Sequence, residues 1–132
     1  MRILIADDHE VVRHGVRMVL EARPQWEVCG EALNGDEALR MAGELRPDII
    51  IMDITMPVMS GLEAAEQVTK HSPDIKVLIF TMHESQTLPD TVRRAGARGY
   101  LVKSQAARDL IKALECLEGG GTFFPPTAQK PN

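Results

Sequence analysis

Five short apolar runs, each followed by a longer stretch of helical periodicity, organise the chain. Residues 2–6, Arg-Ile-Leu-Ile-Ala, are short, apolar and partly β-branched, which predicts a buried strand. Val12, Val16, Val19 and Leu20 then recur at helical spacing and stop before Pro24. Residues 27–32 alternate more and predict a second strand nearer a sheet edge. Asn34, with Glu37 three residues later, has the form of a capping box. It opens a helix whose apolar face is Ala38, Ala42 and Leu45, closed by Pro47. Residues 48–52 are the most apolar run and predict a central strand. Ser60 is the N-cap of a helix carrying Leu62, Ala65 and Val68. Residues 76–80 predict a fourth strand. Propensity predicts a helix over 85–95, with Pro89 either in its first turn or breaking it. Residues 99–102 predict a fifth strand. Leu110, Ile111, Leu114 and Leu117 define a last helix, stopped by Gly119-Gly120-Gly121.

Strict alternation of strand and helix predicts an α/β fold: five parallel strands with helices on both faces. There is no internal repeat. Residues 121–132, with Pro125, Pro126 and Pro131, have the composition of a linker. The expected organisation is a domain over 1–120 and a tail over 121–132 that leads to an output domain outside these residues.

Composition narrows the function. The 132 residues fit one domain, and their 44% hydrophobic and 26% charged content is that of a folded chain rather than a disordered one. The net charge of −4 lacks the basic stripe that phosphate-backbone binding needs, so direct nucleic-acid binding by these residues is not expected. Runs such as 49–52 fall far short of the roughly 20 apolar residues of a membrane span. Residues 3–6 are too short for a signal-peptide core. Cys29 and Cys116 show no paired spacing, which argues against a disulfide framework or zinc site and for the reducing cytoplasm. His9, His14, His71 and His83 show no ligand spacing, and His9 beside the acid pair reads as local structure. Trp26, Met52, Met56 and Met59 read as packing residues. Phe123-Phe124 read as exposed aromatics in the tail, available to a neighbour.

The chemistry lies where the apolar runs end. The first ends at Asp7-Asp8, the third at Asp53, the fourth at Thr81 and the fifth at Lys103. In a parallel sheet these residues emerge at one carboxyl edge, where open α/β sheets bind ligands. Crowded carboxylates repel one another, and a hard divalent cation such as Mg²⁺ resolves that conflict with oxygen ligands. A carboxylate held there can attack a phosphoryl group. Lys103 and Thr81 are of the right type to meet the incoming oxygens.

These segments resemble the receiver domain of two-component response regulators. The likeness is carried by Ile5-Ala6-Asp7-Asp8-His9, by residues 47–53, by Met56-Pro57 with Gly61, by Thr81 and by residues 96–103, and it spans residue 3 to about 120. Residues 96–103 are similar to the NarL/FixJ (LuxR-type) subfamily, whose members usually carry a C-terminal helix-turn-helix. Ser104 follows Lys103 where many receivers have proline, a departure common in that subfamily. The resemblance implies a flavodoxin-like, doubly wound sheet of strand order 2-1-3-4-5 with five helices. It implies that Asp53 accepts a phosphoryl group from a sensor histidine kinase. It further implies that Asp8, Asp53 and the Thr55 carbonyl ligate Mg²⁺, with Asp7 acting through water. Lys103 pairs with the phosphoryl oxygens or, before phosphorylation, with Asp53. Thr81 and Tyr100 are the implied switch pair, Tyr100 turning inward, and Thr55 and His83 tune hydrolysis. A homodimer and a DNA-binding, transcription-regulating output are further implications.

Two other readings stand beside this one. A Mg²⁺-dependent phosphohydrolase with an aspartyl-phosphate intermediate usually needs a second acid two residues after its nucleophile, and Thr55 stands there. A pseudo-receiver would work without phosphorylation, which the intact acid cluster and Lys103 argue against. The expected molecule is not an enzyme with an external product; it assists only its own phosphorylation and dephosphorylation.

Overall fold

Strand β1 (Arg2–Ala6) is flanked by β2 (Glu27–Ala32) on one side and by β3 (Ile49–Asp53) on the other, and the sheet continues through β4 (Lys76–Thr81) to β5 (Gly99–Val102). All four pairings are parallel, and the order is 2-1-3-4-5. Helices α1 (Glu10–Leu20), α2 (Gly35–Leu45), α3 (Gly61–His71), α4 (Leu88–Arg94) and α5 (Ala106–Glu118) make the crossovers and the C-terminal cover. The computed structural model describes residues 1–82 and 88–124.

Strand period divides the core in two. Ile3, Ile5, Ile49, Ile51, Leu78, Phe80 and Leu101 face α1 and α5, where Val16, Leu20, Leu110, Leu114 and Leu117 meet them. Leu4, Ala6, Ile50, Met52, Ile79, Tyr100 and Val102 face α2, α3 and α4, whose contact residues are small: Ala38, Ala42, Ala64, Ala65 and Val92. Each fully buried Leu or Ile contributes about 1.5–3 kcal/mol of transfer free energy. β3 is buried along its whole length, as its unbroken apolar run requires, whereas β2 lies at the edge with most positions half-exposed. Trp26 is buried, with the Arg23 guanidinium over its ring.

Local signals explain the helix starts. Asn34 accepts the Glu37 N–H at 2.8 Å, and Ser60 accepts the Glu63 N–H at 3.2 Å. The return arm of the first box differs from its usual form. The Glu37 carboxylate accepts from the Leu33 N–H at 2.7 Å, one residue before the cap. Pro89 sits in the first turn of α4, where its missing N–H costs nothing. Of the helix expected over 85–95, Leu88–Arg94 is helical, and 83–87 lie outside the described residues. Asp48, expected to open β3, stays outside it and accepts the Arg2 N–H at 2.7 Å instead. β4 runs one residue further than expected, through Thr81.

The expectation of exposed aromatics at Phe123-Phe124 is overturned. Both are half-buried, and Phe123 pairs with the outer edge of β5, because the open edge offers backbone groups that need partners.

The loop after β3 is held by glycine. A Cβ on Gly61 would lie 1.8 Å from the Asp53 carbonyl oxygen. Gly61→Ala is therefore expected to cost about 2–3 kcal/mol in urea unfolding, since backbone must move to admit the methyl group. An unchanged midpoint would contradict this close approach.

Candidate functional site

Strand register brings the site together. Ala6 pairs with Met52, so Asp7 leaves β1 opposite Asp53 at the end of β3. Asp53 pairs with Phe80, which places Thr81 one residue beyond it on β4. Thr81 pairs with Val102, and Lys103 follows directly. Asp7, Asp53 and Thr81 are the buried polar side chains of the described residues, at 1%, 3% and 4% exposure. In a core this apolar, their burial at one edge is a chemical feature rather than a packing one.

Lys103 sits between the acids. Its Nζ lies 2.7 Å from Asp7 Oδ2 and 3.3 Å from Asp53 Oδ1, so the ammonium is shared and lies nearer Asp7 than the expected partner Asp53. A three-residue 3₁₀ turn at Lys103–Gln105 turns the chain here, and Lys103 Nζ stands 5.6 Å from the centre of the Phe80 ring. Burial holds the Asp53 carboxyl above the ordinary carboxylate range, and the Asp7 charge adds to this. The Lys103 charge and hydrogen bond, and the Thr55 N–H, oppose the rise. That N–H is 3.5 Å from Asp53 Oδ1, a weak contact.

The acid pair on the β1–α1 turn is braced from both sides. The His9 N–H donates to Asp7 Oδ1 at 2.8 Å, and His9 Nδ1 lies 3.2 Å from Asp7 and 3.3 Å from Asp8. Arg13 donates from Nη1 to the Asp7 carbonyl at 2.9 Å while its Nε holds Glu31 at 2.8 Å. Sequence reasoning singled out neither brace as functional. An Asp followed two residues on by a backbone donor is an Asx-turn signal that points to His9. Nothing in the sequence links Arg13 to Asp7, because that contact depends on how α1 lies on the sheet.

One ligand atom from each of Asp7, Asp8, His9 and Asp53 lies within 4.8 Å of the others. The donor set is dominated by carboxylate oxygen, which suits a hard divalent cation. Asp8 is one-third exposed and opens the cluster to solvent, leaving room for an ion's remaining waters. The residues therefore fit Mg²⁺, with the carboxylates of Asp7, Asp8 and Asp53 as groups that could hold it.

One other expected residue stands apart from the cluster. Tyr100 is buried, at 3% exposure, in the layer under α2, α3 and α4 rather than in the acid pocket. His83 lies outside the described residues. The loop from Asp53 to α3 contains a γ-turn of the strained, positive-φ kind. Val58 has φ 70°, and the Met59 N–H donates to the Pro57 carbonyl at 2.7 Å. Strain of about 1–3 kcal/mol at such a turn is characteristic of functional loops.

Comparison with known proteins agrees with this geometry. Residues 3–115 match the profile of the response regulator receiver domain. The transcriptional regulatory protein LnrK of Bacillus subtilis is 40% identical over all of this chain and 61% of its own length. The response regulator UvrY of Escherichia coli is 36% identical over 94% of this chain and 57% of its own. The chain thus spans roughly three-fifths of the curated relatives it matches. A LuxR-family two-component response regulator from Aurantimonas superposes with a TM-score of 0.90 at 38% identity, covering 95% of this chain and 89% of that one. The isolated receiver domain of RcsB from Salmonella enterica, solved with phosphomimetic beryllofluoride, gives 0.87 at 29% identity over 95% and 93%. With the profile match over most of its length, these relatives and the doubly wound sheet of order 2-1-3-4-5, the chain belongs to the response regulator receiver domain family, of the LuxR (NarL/FixJ) type.

Proposed function

We propose that Asp53 accepts a phosphoryl group from the phosphohistidine of a sensor kinase and that the domain passes this event to a transcription-regulating output. The observation that carries the reading is the Asp53 carboxylate, 3% exposed and held between the Lys103 ammonium and the Asp7-Asp8 pair. One Asp53 oxygen attacks phosphorus in line with the leaving imidazole. The P–O bond forms as the P–N bond breaks, and the imidazole keeps the electron pair. Mg²⁺, when bound, would supply charge neutralisation to the phosphoryl group. Asp8, Asp53 and the Thr55 carbonyl would hold that ion, with Asp7 acting through water.

The chain's own groups do the rest. Lys103, already 3.3 Å from Asp53, meets a phosphoryl oxygen with a point charge that needs no reorganisation. Thr81, one strand over, supplies a hydroxyl donor. Its displacement toward the phosphoryl group, with Tyr100 held inward, selects one of two arrangements of the α4–β5–α5 face. Thr55 and His83 set the rate of hydrolysis. The domain has no external substrate and acts through its partners: the kinase, a second copy, and a helix-turn-helix output. The free thiols of Cys29 and Cys116 support a reducing, cytoplasmic setting.

Incubation with a small acyl-phosphate donor tests this. The chain should gain one phosphoryl group by intact mass only when Mg²⁺ is present, and Asp53→Asn should gain none. Equal labelling of that variant would overturn the assignment.

A further inference from the structure

The turn after α5 sends the chain back to the sheet. Gly120 adopts φ +91°, a conformation that L side chains rarely take. The Gly121 N–H closes the helix end on the Cys116 carbonyl at 2.8 Å. Residues 122–124 then run alongside β5. The Phe123 N–H donates to the Arg98 carbonyl at 3.0 Å, and its carbonyl accepts the Tyr100 N–H at 2.9 Å, forming a parallel bridge to Gly99. Gly99 permits the approach, since a Cβ there would lie 3.1 Å from the Phe123 oxygen and 2.7 Å from Leu78.

The two aromatics straddle the sheet edge, as successive side chains of a strand do. Phe123 packs with the layer under α1 and α5, and Phe124 with the layer under α2, α3 and α4. The Arg93 guanidinium of α4 stands 3.9 Å from the centre of the Phe124 ring. The segment thus has one anchor on the backbone of the switch residue Tyr100 and another on the short helix α4. The β5 ladder fixes the first anchor, so any displacement of α4 is felt at the second.

We propose that residues 122–124 form a latch that couples Tyr100 and α4 to the chain beyond it, closed when the Tyr100 ring is buried and tightened when Asp53 is phosphorylated. This rests on the reading of Asp53 as phosphoacceptor. The latch holds the start of the tail against the edge of the sheet, and its strength follows the state of the pocket on the far side of β4. Coupling of this kind is reciprocal, so whatever strength the latch gains when the pocket fills is returned as tighter binding at Asp53.

Hydrogen exchange of the Tyr100 and Phe123 amides, read by NMR in the 132-residue chain, tests the proposal. Mg²⁺ with beryllofluoride serves as the probe, and fluorine NMR reports occupancy of the pocket separately. Both amides should exchange more slowly once the pocket is filled. Phe124→Leu, which keeps apolar volume but loses the ring face, should weaken beryllofluoride binding by up to roughly two- to fivefold, the full range of an exposed cation–π contact. A filled pocket with unchanged or faster exchange, or an unchanged affinity in Phe124→Leu, overturns the latch alone. A pocket that never fills overturns the phosphoacceptor reading, and the latch with it.

Discussion

Lys103→Met should lower folding stability by about 3 kcal/mol at neutral pH, because removing one partner of a buried charge cluster leaves the others uncompensated. The side chain is 9% exposed, and its partners Asp7 and Asp53 are 1% and 4% exposed, so water cannot replace the ammonium. Methionine keeps most of the volume, so the loss is electrostatic rather than a cavity. The pH dependence identifies the cause. Asp53 already titrates above the ordinary carboxylate range, chiefly through burial. A raised carboxyl contributes stability below its unfolded value, and that contribution is lost as pH rises through the folded one. Without Lys103 the folded value rises further. The deficit of the variant should therefore be largest above that value and shrink as pH falls toward the ordinary carboxylate range. Urea unfolding of both proteins at neutral and mildly acidic pH measures this. A deficit that does not vary with pH would point to lost packing and against the shared ion pair.

Asp8→Asn should cut Mg²⁺ affinity by at least about 100-fold, beyond the 10–100-fold typical of losing an outer-shell partner. Asp8 is the cluster's solvent-facing acid, and His9 Nδ1 lies 3.3 Å from it. Its loss should leave metal-free stability within about 0.5 kcal/mol of the parent. The two effects separate in one experiment. Mg²⁺ at 100 times the parent's dissociation constant should stabilise the parent by about 2.7 kcal/mol and the variant by about 0.4 kcal/mol. Equal stabilisation would remove Asp8 from the metal site.

Much of this was written in residue order alone. The strands are legible because a parallel sheet covered on both faces needs unbroken apolar runs, as 49–52 shows. The site is legible because chemistry at strand ends needs no knowledge of packing. Asp7, Asp53, Thr81 and Lys103 follow their strands directly, and register does the rest. What stayed hidden depends on tertiary placement. The Arg13 contact with the Asp7 carbonyl spans the join of α1 to the sheet. The sharing of Lys103 between two acids is a matter of ångströms. Phe123-Phe124 read as tail because proline follows, yet an open β5 edge captures them, and local composition carries no record of an unfilled edge.

The central claim concerns one oxygen nucleophile among three neighbouring acids. Borohydride reduces an acyl phosphate to the alcohol, so a phosphorylated aspartate becomes homoserine. Reduction of the labelled chain followed by peptide sequencing should find homoserine at position 53 and aspartate at 7 and 8. Homoserine at 7 or 8, with aspartate intact at 53, would contradict the account.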